Sequence, residues 1–270
     1  MPVRVETFAT VDEGTRALSS ARQARYFGGG TLLMRAVNAG DQGFDTLIRV
    51  TDPGLREIRT EGDRIVIGAG VTMAQIVANR DLAFLAQVAR VVGGPAVRSA
   101  ATVGGNLFAR SPFGDFATAL VALGASVRMA GSGGDIRIDD FMRDRDRHAS
   151  AIVRAVVVPR LTDPSALRFL KVSRIKPKGA SVLTIAAMLP RAGSRIADFR
   201  VAYGGLAPTP VRAQAVETAL EGASLDELGI ARALEVATEG ITVTTDALAS
   251  EWYRREIAPV HLKRVLLGKV

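Results

Sequence analysis

The chain has 270 residues, 48% apolar and 23% charged, with a formal net charge of +8; that excludes disorder and fits one large or two small domains. No cysteine is present, which excludes disulfides, zinc ribbons, thiolate-bound clusters and Cys nucleophiles; with only His148 and His261, a His-rich metal site is disfavoured too. The longest uncharged run, Ile65 to Asn79, falls short of the roughly 18 residues of a membrane span, and 5% aromatics with scattered arginines argue against a nucleic-acid platform.

The N-terminus, MPVRVETFA, lacks an apolar signal core, which points to the cytoplasm. Val11 to Ala24 reads as a first helix capped by Asp12. Arg25 to Phe27 reads as a short strand entering three glycines. Thr46 to Val50 and Arg64 to Gly68 are further strands, with a turn at Asp52-Pro53-Gly54. Thr72 to Asn79, Leu82 to Val92 and Phe116 to Gly124 read as helices. Ser126 to Ala130 and Asp135 to Ile138 form a hairpin around Gly131-Ser132-Gly133-Gly134, and Ala151 to Val158 is a strand stopped by Pro159. Asp139 to Arg147 reads as a solvated mixed-charge loop.

Leu161 to Ser165 is the best linker. Beyond it come three strand-like runs, Phe169 to Ile175, Val182 to Leu189 and Ile196 to Tyr203. Three helices follow. One has Pro210 near its start and Gly222 at its stop. The next opens on a Ser224-x-x-Glu227 capping box and ends at Gly240. The last runs from Ser250 to Leu267. Strands followed by helices indicate an α+β unit.

Three glycine segments could carry chemistry. Gly28, Gly29 and Gly30 precede Thr31, Leu32 and Leu33. Bare backbone there can turn sharply and aim successive N–H groups at an anion, with the two leucines opening a helix; a plain tight turn is the alternative. Thr102, Val103, Gly104, Gly105 and Asn106 form a second segment, followed by Ser111-Pro112 and by Asp115, whose carboxylate could accept from a ribose or ribityl hydroxyl. Two such segments could grip a pyrophosphate from both sides. Gly68-Ala69-Gly70 reads as a strand-end turn: Met73 replaces the third glycine of a dinucleotide fingerprint, and no acid stands near twenty residues on. Phosphate-loop, Gly-x-Ser-x-Gly and His-Glu-x-x-His patterns are absent. A bound redox cofactor would explain so sparse a set of acids and bases.

These residues resemble the flavin subunits of molybdenum hydroxylases, the carbon monoxide dehydrogenase medium-subunit and xanthine dehydrogenase FAD-subunit family. The likeness spans the two glycine segments, Lys171 with Arg174, the run Tyr203 to Ala213, and Tyr253-Arg254-Arg255. Gly28 and Leu32 depart from the usual Ala and Asp of the first segment. The resemblance implies an α+β chain: residues 1–162 as an FAD-binding domain of the p-cresol methylhydroxylase type, with two subdomains, and residues 163–270 as a small α+β domain of the carbon monoxide dehydrogenase flavoprotein type. It implies noncovalent FAD held by Gly28 to Leu33 and Thr102 to Asn106, with Ser111 and Asp115 on nearby hydroxyls and Lys171 beside the flavin. It also implies a large molybdopterin subunit and a small [2Fe–2S] subunit as partners, in a dimer of heterotrimers that relays electrons to an external acceptor. A stand-alone reductase resembling that for UDP-N-acetylenolpyruvoylglucosamine shares the first segment and is the alternative.

Overall fold

The computed structural model describes residues 3–131, 133–175, 179–189 and 199–269. Ser132 of the expected hairpin turn and residues 196–198 of the expected third strand lie outside these.

Strand β1 (Arg4–Phe8), helix α1 (Val11–Ser20), strand β2 (Ala24–Tyr26), helix α2 (Leu33–Asn38) and strand β3 (Thr46–Val50) make the first layer, a parallel sheet in the order β1-β3-β2. The first helix is capped by Thr10, not Asp12. The Thr10 hydroxyl accepts from the Glu13 N–H and the Glu13 carboxylate accepts from the Thr10 N–H, a reciprocal cap. The helix stops at Ser20, and β1 had no strong sequence signal because its Val5 points to solvent.

Strands β4 (Ile58–Glu61) and β5 (Arg64–Gly68) lead into helices α3 (Met73–Ala78), α4 (Ala83–Arg90), α5 (Pro95–Ala100), α6 (Val103–Leu107) and α7 (Asp115–Ala122). Strands β6 (Ser126–Met129) and β7 (Asp135–Arg137) form the expected hairpin. Helix α8 (Ile138–Arg143) and strand β8 (Val153–Pro159) complete an antiparallel sheet ordered β4-β5-β8-β6-β7. The mixed-charge stretch is therefore not a solvated loop. Residues 138–143 are helical and residues 145–148 form a tight turn, in which Arg145 is buried and His148 stacks on Phe141 at 5.1 Å.

Strands β9 (Leu167–Ser173), β10 (Ser181–Met188), β11 (Arg200–Gly204) and β12 (Val211–Arg212) form the last sheet, antiparallel throughout. Helices α9 (Gln214–Ala219), α10 (Ala231–Glu235) and α11 (Glu251–Leu266) follow. Every residue of β10 is buried, because both faces are covered. Leu183, Ile185 and Ala187 enter the core shared with the C-terminal helices, while Ala186 and Met188 join the core of the first half. The Ser224-x-x-Glu227 box does not form. Asp226 takes the Ser224 hydroxyl and the N–H groups of Leu228 and Gly229, Glu227 pairs with Lys263 and Lys269, and the helix begins only at Ala231.

Candidate functional site

The three glycine segments, far apart in the chain, stack on one another. Thr102 caps α6, its Oγ1 accepting the Gly105 N–H at 3.1 Å. That same oxygen stands 3.0 Å from where a Cβ on Gly28 would lie. A Cβ on Gly29 would fall on the carbonyl oxygen of Ala100, so only glycine lets the first segment close onto the approach to α6. From below, the N–H of Gly104 donates to Ala69 O at 2.8 Å and that of Val103 to Val71 O at 2.9 Å. The Gly68-Ala69-Gly70 turn thus seats α6.

The two upper segments differ in what they can offer. Among the described residues, no acceptor meets the N–H groups of Gly28, Gly29, Gly30, Thr31 or Leu32. Five consecutive free donors on a half-buried turn, with Gly30 in the left-handed region at φ 70°, form a concavity suited to a polyphosphate. The second segment was expected to supply donors too, and the structure corrects this. Val103, Gly104, Gly105 and Asn106 lie in α6, and their N–H groups are already bonded to Val71, Ala69, Thr102 Oγ1 and Thr102 O. What this segment contributes is an exposed Gly105 and the Asn106 amide.

Asn106 Oδ1 accepts the Ala117 N–H at 3.0 Å and so fixes the first turn of α7 against α6. The start of α7 carries Asp115, 7% exposed. Its carboxylate, expected to accept from a sugar hydroxyl, already accepts one hydrogen bond on each oxygen: Oδ2 from Lys171 Nζ at 2.7 Å and Oδ1 from the Ser181 hydroxyl at 2.5 Å. Lys171 also donates to Val91 O at 3.1 Å. The lysine expected beside a flavin is therefore half of a buried, neutralised pair joining α7 to β9. Ser111, at the loop before α7, is half-buried, and among the described residues its Oγ has no partner. Sequence reasoning missed Ser181 and the Val91 carbonyl; a serine in an apolar strand and a backbone oxygen leave no pattern. Lys171, Asp115 and Ser181 come together with the second segment through Asn106, while Gly28 to Leu33 sit on the other side of Thr102.

The arrangement can grip an anionic ligand on bare backbone and hold a neutral polar hub between the two halves. Among the described residues there is no cluster of His, Asp or Glu able to hold a metal, and no helix is long and apolar enough to cross a membrane.

Residues 2–161 match the family described as the FAD binding domain in molybdopterin dehydrogenase, and residues 168–268 match the CO dehydrogenase flavoprotein C-terminal domain. The chain is similar to the nicotine 6-hydroxylase medium subunit of Paenarthrobacter nicotinovorans, at 24% identity over 98% of this chain and 96% of that one. It is also similar to the glyceraldehyde dehydrogenase medium chain of Sulfolobus acidocaldarius, at 26% identity over 76% of each. Among solved structures, quinoline 2-oxidoreductase from Pseudomonas putida superposes with a TM-score of 0.86 at 25% identity, covering 99% of this chain and 96% of that one. Carbon monoxide dehydrogenase from Hydrogenophaga pseudoflava shares the fold with a TM-score of 0.87 at 23% identity, covering 98% and 96%.

Proposed function

The chain belongs to the family of FAD-binding domains of molybdopterin dehydrogenases and is an oxidoreductase flavoprotein; from that premise we propose that it is the electron-transfer subunit of a heterotrimeric molybdenum hydroxylase. Its partners in this reading are a large molybdopterin subunit and a small subunit with [2Fe–2S] clusters, assembled as a dimer of heterotrimers in the cytoplasm. Residues 1–162 form the FAD-binding domain and 163–270 the C-terminal domain.

The observation that carries the reading is the run of five unpaired N–H groups from Gly28 to Leu32, pressed against Ala100 and Thr102. These donors fit the pyrophosphate of FAD without bulky side chains in the way. Gly105 and Asn106 border the same space. Asp115 and Lys171 position the start of α7 and contribute little net charge to the ligand, since each neutralises the other. FAD, bound noncovalently, supplies the redox chemistry that would take electrons from the partner's clusters and pass them to an external acceptor. The chain's part is to bind, orient and dock. Its net charge of +8 favours encounter with acidic partners, so assembly slows as salt rises. The stand-alone reductase alternative gains no support from residues 168–268, which match the flavoprotein C-terminal domain.

The test is anaerobic bleaching near about 450 nm, a band set by the cofactor's own chemistry. An organic substrate should bleach the flavin only when both partner subunits are present. Bleaching by substrate with this chain alone would sink the electron-transfer reading.

A further inference from the structure

A cavity of about 600 Å³ opens between the two halves, walled by Arg110 and Ser111 on one side, residues 142–147 on another, and Pro208, Thr209, Thr244 and Asp246 on the third. Four of its lining residues are arginines. Three of them have a carboxylate close by: Arg110 bonds both oxygens of Asp146 at 3.2 Å, Arg143 bonds Asp140 at 2.5 Å, and Arg147 lies 3.4 Å from Asp144. Asp246 is taken by Arg254, at 2.7 Å.

Arg145 is the exception. It is only 4% exposed, yet among the described residues its one hydrogen bond goes to the neutral carbonyl of Ala109, at 2.9 Å. The nearest carboxylate is Asp146, 3.9 Å away, which is largely exposed and already held by Arg110. A guanidinium stays protonated, so this is a buried charge without its own counterion, a costly arrangement unless an anion completes it. Desolvation pulls the Arg145 pKa down; Asp146 opposes the shift without cancelling it, and Arg110 adds to it. Ser111 lines the same cavity, and among the described residues its buried Oγ has no partner. A buried surplus cation and an orphan hydroxyl lining the same cavity are together what an anion site requires.

We propose that this interdomain cavity binds the phosphate group of a small soluble ligand, with Arg145 as the buried anchor, Arg110 swinging from Asp146 to share it, and Ser111 donating its hydroxyl. A guanidinium fork matches phosphate oxygens two at a time. The site goes beyond the flavin reading, since the free backbone donors assigned to the pyrophosphate belong to residues 28–32 and none of those lines this cavity. Free phosphate and a phosphorylated nucleotide share this chemistry.

The test is calorimetric titration of the full, flavin-loaded chain with inorganic phosphate and separately with ADP, at constant ionic strength so that general screening is removed. Saturable binding is expected, weakened at least about tenfold by Arg145→Gln and partly restored by Arg145→Lys. Arg110→Ala, at a largely exposed side chain, should weaken it without touching the fold. Tighter binding of ADP than of phosphate would identify a nucleotide as the source; equal binding would identify free phosphate. No saturable heat below about 10 mM, or binding unchanged in both Arg145→Gln and Arg110→Ala, overturns the proposal. So does phosphate binding that appears only in flavin-free chain and is displaced by FAD, because the cavity would then be part of the flavin site. Flavin content, read separately by absorbance, shows whether the FAD reading itself has failed.

Discussion

Lys171 Nζ and Asp115 Oδ2 lie 2.7 Å apart across the boundary between the two halves, with less than a tenth of either side chain exposed. The pair ties β9 to the first turn of α7; the Ser181 hydroxyl donates to the other carboxylate oxygen and Lys171 donates also to the Val91 carbonyl. Buried pairs of this kind are weak evidence of net stabilisation, but breaking one is costly because the survivor is left charged and dry.

Lys171→Met should therefore lower unfolding free energy by about 3–5 kcal/mol. Adding Asp115→Asn should recover a large part of that, since the stranded charge is gone. Urea denaturation of the two variants and the parent chain gives the comparison; a double variant no better than the single one would mean that the pair is not the source of the loss.

Gly29→Ala should strip flavin from the chain while Gly133→Ala leaves it in place. A Cβ at Gly29 collides with the Ala100 carbonyl, whereas nothing lies within 4 Å of one at Gly133. The readout is absorbance at about 450 nm per polypeptide, with circular dichroism to confirm folding. Full flavin in Gly29→Ala would move the pyrophosphate seat away from this turn.

Tyr203 is fully buried in the C-terminal core, and among the described residues its hydroxyl has no partner. Tyr203→Phe removes an unsatisfied polar atom at almost no change of shape, and should raise stability by on the order of 1 kcal/mol. Thermal unfolding of the two proteins side by side decides it, and a clear fall in melting temperature would show that the hydroxyl does find a partner.

Burial pushes the Tyr26 phenol up to about 12 from its usual 10.0, with Asp52 adding to the shift and Arg56 opposing it. The neutral ring is the form the folded state prefers. Its contribution is complete below pH 10 and is lost as pH climbs through about 12, because the unfolded chain ionises first. Chemical denaturation between pH 8 and pH 12 should show stability falling less steeply in Tyr26→Phe than in the parent. Parallel slopes would place the alkaline loss elsewhere, for example at Tyr203, whose pKa burial also raises.

By itself the sequence determined the elements whose signals are local. The apolar alternation of β5, the glycine-turned hairpin of β6 and β7 and the span of α11 were legible because each depends on neighbours a few residues away. The glycine triplet was legible as a sharp turn after a strand, whether a plain turn or an anion seat. Tertiary structure alone decided which polar groups stay free. Gly104 and Gly105 read like a second phosphate loop, yet Ala69 O and Thr102 Oγ1 consume their N–H groups. Asp115 read like a ligand acceptor, yet Lys171, 56 residues on, occupies it. Arg145 read like one more solvated arginine, until the packing of residues 138–148 against Ala109 buried it. Side-chain type and spacing fix what a residue can bond to, but whether that bond is already made depends on segments that meet only when the chain has folded.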